Sequence, residues 1–334
     1  MSHHLALSPT FDLSKNELDL ISELLADKRS PNTRRAYEWD LNDFFQAVTK
    51  CDATPVMVEG FLKLSRFEAL ALVLRYKSQL IAKGLKEATI NRRLAAVKAL
   101  VNFARKLGKV DWTLADIKSE KVKNYRDTTG VDPDTFKEML AAPGRDTLKG
   151  KRDYALLRLL WDNALRRGEV EKTNIGDLEL VGRKLWIIGK GKGTQREAIS
   201  LTTATVEALK DYLAARGKCD SASAHALRAC SANAEHRSQP LFIALDRGHS
   251  GHRLTGTSIA RIVQAVAKTA GIDKTLSPHR IRHSSITAAL EATGGDVRRV
   301  QKLSRHANLD TLMIYDDNRR NHQGEISDLL AGLV

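Results

Sequence analysis

No apolar run in this chain approaches the ~20 residues needed to cross a bilayer. The longest candidate, Ala69 to Leu74, is cut off by Arg75. The opening stretch, M-S-H-H-L-A-L-S-P-T, has no basic segment leading into an apolar core, so it does not read as a secretory signal. Cysteine is scarce. Cys51, Cys219 and Cys230 are odd in number and scattered, which builds neither a disulfide framework nor a CxxC zinc site. These absences set the expectation of a cytoplasmic protein in a reducing compartment, with no membrane partner. Acidic residues are too few to balance the basic ones: 54 Lys and Arg face 40 Asp and Glu over 334 residues, leaving +14. In a folded chain such an excess points to a polyanion, most often nucleic acid. The excess is not one appended tail, because residues 1–130 hold 22 basic and 16 acidic side chains and the remainder holds 32 and 24. The rest of the composition, 42% hydrophobic and 28% charged, is ordinary for a globular protein. The length suits two domains.

The first third reads as a small helical bundle with a basic side. Leu18, Ile21, Leu24 and Leu25 recur at helical spacing. Ser30-Pro31-Asn32-Thr33 places a polar cap before a proline, a helix start, and Tyr37, Leu41, Phe44 and Phe45 follow as its stripe. Another helix spans Phe67–Lys83 and stops at Gly84. The next, from Ala88-Thr89, carries Ile90, Leu94, Val97, Leu100, Val101 and Ala104 on one face and stops at Gly108. Asn91, Arg92, Arg93 and Lys98 lie off that face. Residues 121–131 are charged and aperiodic, which makes them the linker between a first domain, 1–120, and a second, 132–334. A helix opens at Asp132-Pro133-Asp134. A longer one, Lys151–Asn163, points Tyr154, Leu157, Leu160 and Trp161 inward. The strands are Leu178–Leu180, Lys184–Ile188 and Glu197–Leu201, the last two flanking the tip G-K-G-K-G-T-Q of a β-hairpin. Helices resume at Thr202–Ala215 and Thr257–Ala270, separated by a loop or loose insertion over 217–240. The fold class is therefore mainly α with a small antiparallel β-sheet.

Four stretches of the second half carry chemistry-bearing side chains. They are Ala164-Leu165-Arg166-Arg167-Gly168-Glu169-Val170, the hairpin tip with Lys190 and Lys192, Ser277-Pro278-His279-Arg280-Ile281-Arg282-His283, and Leu303-Ser304-Arg305-His306 with Tyr315 nine residues beyond His306. Each alone has an ordinary explanation, such as a helix-surface ion pair between Arg166 and Glu169. In this order they resemble the tyrosine site-specific recombinases, the group of phage integrases, Xer recombinases and the loxP-type recombinase. Arg166 and Glu169 match the family's L-R-x-x-E block, Lys192 its hairpin lysine, His279 and Arg282 its H-x-x-R-H block, and His306 and Tyr315 its final block. S-P-N-T-R-R-A-Y-E-W-D-L is similar to the start of its core-binding module, which brings in Arg34 and Arg35. The family has Gly where Arg305 stands, so the turn before His306 is expected to be made differently. Spacing to the strand after the hairpin favours Lys192 over Lys190.

The resemblance implies an N-terminal core DNA-binding bundle and a C-terminal mixed α/β catalytic domain. Its catalytic set is Arg166, Glu169, Lys192, His279, Arg282, His306 and Tyr315. DNA contacts are expected from Arg34, Arg35, Asn91, Arg92, Arg93, Lys98 and Lys190. The implied partner is double-stranded DNA with inverted-repeat half-sites, bound by a homodimer per site and a homotetramer in synapsis.

The residue types suit that chemistry on their own. A phosphodiester gains charge on its non-bridging oxygens as it is attacked, and arginine forks are matched to those oxygens. A phenol can serve as nucleophile, and a lysine can protonate the departing 5′-oxygen. His279 suits acid–base work toward the tyrosine, and His306 can donate to a phosphoryl oxygen. Glu169 would orient Arg166 or His279. No cofactor or metal is called for, because arginines take the part divalent ions play elsewhere.

Other readings fit less well. His249 and His252 with Cys219 and Cys230 match no common zinc spacing. G-K-G-K-G-T lacks the Ser or Thr that follows the Walker lysine. A non-catalytic DNA-binding protein on the same fold has no need of Tyr315 with all its partners. A type IB topoisomerase shares the mechanism, but the helical first domain and the tail favour strand exchange. In that tail Ile326, Leu329, Leu330 and Leu333 form an apolar helical face. It either folds back on its own domain or, as the resemblance implies, docks into a neighbouring protomer.

Overall fold

The structure, a computed structural model, describes residues 19–122, 130–189, 191–217, 237–319 and 322–333. The chain forms two compact units, Met1–Lys123 and Asn124–Val334. Most of the 121–131 linker, the 217–240 insertion with Cys219 and Cys230, and Lys190 lie outside the described residues.

The first unit holds five helices, each started by a local signal. They are α1 (Leu20–Ala26), α2 (Pro31–Thr49), α3 (Pro55–Leu62), α4 (Arg66–Ala82) and α5 (Glu87–Lys106). Ser30 accepts from the Thr33 N–H, and Pro31 sits in the first turn, where its missing donor costs nothing. Ser65 and Glu68 form a reciprocal capping box at α4. α3 was not anticipated, although Thr54-Pro55 repeats the start signal of Ser30-Pro31, because its eight residues are too few to show a period. Phe44, Phe45, Phe61 and Tyr76 meet edge to face in the core, with centroids 5.1 to 6.1 Å apart. That geometry aligns the positive ring edge with a negative face.

The basic side of α5 needs a correction. Arg93 is buried rather than exposed. It pairs with Asp43 at 2.6 Å, and its guanidinium lies 4.6 Å over the Trp39 ring. Tyr76 donates to the same Asp43 carboxylate at 2.6 Å. Arg92 reaches the fully buried Asp40. Asn91 exchanges two hydrogen bonds with the backbone of Glu120, and Lys98 donates to the Ile117 carbonyl. Arg93 therefore braces the bundle, as do Asn91 and Lys98 through the backbone of Glu120 and Ile117, while Arg92 stays exposed despite its ion pair, as do Arg34 and Arg35 on α2.

In the second unit, α6 (Pro133–Ala141), α7 (Leu148–Asp162) and the short α8 (Arg167–Glu171) precede the sheet. Its strands β1 (Leu178–Glu179), β2 (Lys184–Ile188) and β3 (Arg196–Ser200) are antiparallel in the order β1-β2-β3. Lys184 pairs with Ser200 and Ile188 with Arg196. β3 begins and ends one residue earlier than expected, because Leu201 donates to the Arg183 carbonyl in the turn instead of extending the ladder. Leu185, Ile187 and Ile199 face the core and Trp186 faces out, the alternation a half-buried sheet requires. Then come α9 (Thr203–Ala215), α10 (Gly256–Thr269), α11 (Pro278–Ala292), α12 (Val297–Ser304), α13 (Asp310–Arg319) and α14 (His322–Ala331). α7 packs between α9 and α11. Leu157 and Leu160 of α7 are buried as expected, but Tyr154 and Trp161 are half-buried at the rim of the core. A second, smaller cluster joins Ala164 to Ile286, Leu290, Val300, Leu312 and Tyr315.

Candidate active site

The L-R-x-x-E spacing is a helix-start device. Arg166 is the N-cap of α8, and its backbone N–H donates to Glu169 Oε2 at 2.8 Å while its own Nη1 donates to Oε1 at 2.7 Å. Three residues of separation bring a side chain back over the first turn, which is why the pair closes. Glu169 is 2% exposed, so burial pushes its carboxyl up. Arg305, then the backbone and side chain of Arg166, outweigh burial and hold it below the ordinary carboxylate value. Arg166 stays partly open, with about a quarter of its side chain exposed.

α11 brings three of the predicted residues to the same place. Ser277 caps it by accepting from the Arg280 N–H, Pro278 opens its first turn, and His279, Arg282 and His283 follow within two turns. Arg282 is 1% exposed and donates to the carbonyls of Ala164 and Ser304. Its Nη2 lies 3.3 Å from His306 Nε2. Burial, then the neighbouring Arg166, pushes Arg282 down to about 10, which leaves it charged at neutral pH. The Nε2 atoms of His279 and His283 are 2.8 Å apart. His279 is exposed and His283 buried. The His283 ring stands 4.7 Å from the Tyr315 ring, and the His306 ring stands 5.8 Å from it. Tyr315, on α13, is 2% exposed.

Two non-glycine residues in left-handed backbone shape this centre, Ala164 at φ 45° and Arg305 at φ 56°. Such residues cost about 1 kcal/mol or more and persist where surroundings hold them. Both sit where the chain turns sharply between helices. Arg305 thus takes the conformation that glycine usually serves, and the turn to His306 is made with a side chain attached. The Ala164 carbonyl receives Arg282, and the Arg305 carbonyl receives Arg166 Nη2 at 3.4 Å.

A cleft of about 260 Å³ opens between these elements, walled by Arg166, Lys192, Glu197, Lys302, Arg305 and His306 among others. Arg282 and Tyr315 are not in its wall and connect to it through His306. The structure therefore gathers Arg166, Glu169, Arg282, His306 and Tyr315 into one contiguous set, with Lys192 across the cleft and His279 joined through His283. Sequence reasoning gave no role to His283, Lys302 or Glu197, and for Arg305 it saw only a changed turn. The neighbourhood of His306 marks Lys302 and Arg305 but not the direction of their side chains. With four arginine and lysine side chains around it, the cleft suits a dianionic or anionic oxygen cluster rather than an apolar ligand.

Comparison with known proteins agrees with this geometry. The pattern of the phage integrase family matches residues 130–322, and that of the phage integrase N-terminal SAM-like domain matches residues 19–108. The chain is 50% identical to a tyrosine recombinase of Synechocystis sp. over 97% of its own length and 98% of the relative's. It is 29% identical to the tyrosine recombinase XerC of Thermodesulfovibrio yellowstonii, over 90% of each. Among solved structures, the site-specific recombinase XerH in a post-cleavage complex with palindromic difH DNA aligns with a TM-score of 0.62 at 18% identity, over 93% of this chain and 84% of that one. A lambda integrase dimer on a COC′ core site aligns at 0.61 and 13% identity, over 90% and 76%. Both likenesses show the mainly helical fold with its small sheet. A match across most of the second unit and half-identity to a relative of equal length decide the matter: this chain belongs to the tyrosine recombinases of the phage integrase family.

Proposed function

We propose that the protein cuts and rejoins DNA strands through a 3′-phosphotyrosyl intermediate and exchanges strands within a homotetramer assembled on inverted-repeat half-sites. The observation that carries the reading is the contiguity of Tyr315, His306, Arg282 and Arg166 at the edge of a basic cleft. In the reaction, the Tyr315 oxygen attacks phosphorus, the bond from phosphorus to the 5′-oxygen breaks, and Lys192 delivers a proton to that oxygen. The phenolic proton passes toward the His283–His279 pair. Arg166, Arg282 and His306 hold the charge that develops on the non-bridging oxygens. Glu169 fixes Arg166. Rejoining is the same path reversed, with no net change in bond energy and no outside energy source.

The two units divide the work, with the first unit and exposed Arg34 and Arg35 gripping the DNA backbone and the second unit doing chemistry. Supporting the tetramer is the exposed apolar face of α14, where Leu329 is 67% and Leu333 80% exposed. A cytoplasmic, nucleoid-bound setting accords with a DNA substrate; among the described residues no helix is long and apolar enough to cross a membrane.

Tyr315→Phe tests the reading, because it removes one oxygen and keeps the buried ring. Wild-type protein should form a denaturant-resistant adduct with nicked target DNA, and the variant should bind equally and form none. An adduct that persists in Tyr315→Phe rejects Tyr315 as nucleophile.

A further inference from the structure

Arg305 is the residue at which this chain departs from the family pattern, and its guanidinium is almost wholly engaged. Nη1 donates to the carbonyls of Asn163 at 3.2 Å and Leu303 at 2.8 Å. Nη2 donates to the carbonyl of Ala164 at 3.4 Å and to Glu169 Oε2 at 3.0 Å. Nε faces Glu197 Oε1 at 3.6 Å. An arginine has five N–H donors. Four are bonded to protein acceptors, and the fifth, on Nε, is buried without a hydrogen-bond partner 3.6 Å from the Glu197 carboxylate, so none is open to a phosphate oxygen. The side chain is 11% exposed although it touches the cleft. It therefore does not serve as a third phosphate-binding arginine.

We propose that Arg305 is a positioning residue: its guanidinium clamps the end of α7, Glu169 of α8 and Glu197 of β3 into one unit, which holds Arg166 in place and keeps Glu169 from cancelling its charge. Glu169 Oε2 is shared between the Arg166 backbone N–H and Arg305, while Oε1 faces Arg166 Nη1. A lone carboxylate fully paired with Arg166 would neutralise the group that must meet an anion. Divided between two guanidiniums, it leaves the site net positive. The contact to Glu197 extends the clamp to the hairpin that carries Lys192, since Glu197 lies in β3 directly after the tip. The clamp needs the left-handed backbone at Arg305, because that conformation turns the chain after α12 back toward Asn163 and Ala164.

This inference rests on the strand-cleavage reading for its chemistry but not for its structure, and the test separates the two. Arg305→Gly removes the clamp and supplies the residue that left-handed backbone favours, so the turn itself is not penalised. Arg305→Lys keeps the charge beside Glu169 but not the fork. In hydrogen exchange on the free full-length proteins, peptides covering 163–171 and 189–197 should exchange about tenfold faster in Arg305→Gly, while the first unit is unchanged. On duplex captured from a random-sequence pool by covalent trapping with the wild-type protein, half-site affinity should be unchanged. Single-turnover cleavage should fall by about 10- to 100-fold, the scale of a small misplacement at a reacting centre. Arg305→Lys should fall between, and added guanidinium ion should restore part of the Arg305→Gly rate. Unchanged exchange at both segments overturns the clamp, and so does normal cleavage by Arg305→Gly. Failure of the wild-type protein to form any adduct would strike at the cleavage reading instead, and the exchange result would then decide the clamp by itself.

Discussion

Replacing Arg282 with lysine separates the bracing job that the structure shows from the phosphate contact proposed above for the same guanidinium. Arg282 is buried and spans two carbonyls, Ala164 O at the end of α7 and Ser304 O at the end of α12. A lysine nitrogen at that depth reaches one of them. Leaving the other buried without its donor costs roughly 1–3 kcal/mol. The Ala164 carbonyl also receives Arg305 at 3.4 Å, so the loss falls mainly on Ser304 and belongs near the middle of that range. For a unit of this size it lowers the Tm by about 4–8 °C. The chemical loss is separate. A point charge cannot grip two phosphoryl oxygens as a planar fork does, and removing one such donor slows cleavage by at least ~10²-fold. The burial that pushes Arg282 down acts equally on a lysine, which starts lower, so residual cleavage should also fade on the alkaline side where wild type holds. Thermal unfolding and single-turnover adduct formation at a temperature well below both transitions measure the two effects apart. Near-normal cleavage by the folded variant refutes the phosphate-clamp role. An unchanged Tm refutes the brace between α7 and α12.

The general acid is assigned by substrate. A scissile linkage with a 5′-bridging sulfur needs no proton on departure, so it should rescue Lys192→Ala; rescue of Lys190→Ala with none for Lys192→Ala would move the assignment to Lys190. Deleting residues 325–334 should leave the monomer Tm within a degree or two of wild type, because Ile326, Leu329, Leu330 and Leu333 are all more than half exposed. Cooperativity between protomers on full-site DNA should disappear, and a clear drop in monomer Tm with cooperativity intact would place the helix on its own domain instead. Glu169 is held below its ordinary value of 4.5, so its stabilising contribution is complete above that pH and lost as pH falls through the depressed value. Tm measured from pH 7 to pH 3 should therefore decline less steeply in Glu169→Gln than in wild type, and parallel curves would refute the linkage.

Most element starts were legible because they are written locally. Ser30-Pro31 and Asp132-Pro133 each specify a cap within four residues; Ser65 with Glu68 and Ser277-Pro278 carry the same signal, which the reading of the sequence passed over. The hairpin was legible because β-alternation on both sides of a Gly-Lys tip has no helical reading. α3 was hidden by its length. The orientation of Arg93 was hidden for another reason. Periodicity places a residue on a helix face, but whether a long cation at the face edge reaches water or turns inward depends on Asp43 and Trp39, some fifty residues away. The same limit applies at the site. The L-R-x-x-E and H-x-x-R-H spacings announce Arg166, Glu169, His279 and Arg282. That Arg305 returns to Asn163, Ala164 and Glu169 depends on a single backbone torsion, which no residue type except glycine advertises.

Among the described residues, Tyr315 belongs to the smaller of the two buried clusters in its unit, one of six residues against thirty in the main core. The cost of opening a region scales with the apolar surface it would expose, so the α12–α13 corner is the part of this unit that can come apart while the main core stays closed. On the strand-cleavage reading proposed above, a nucleophile kept there is shielded from water and stray electrophiles until something makes opening worthwhile. Duplex DNA laid across the cleft is such a cause, since its phosphates reward any arrangement that brings the phenol forward. The protein's resting state is then a safety, and the strength of that safety is set by how well Ile286, Leu290, Val300 and Leu312 pack. Enlarging or trimming those four side chains should alter how readily the enzyme cuts without altering any residue that touches DNA.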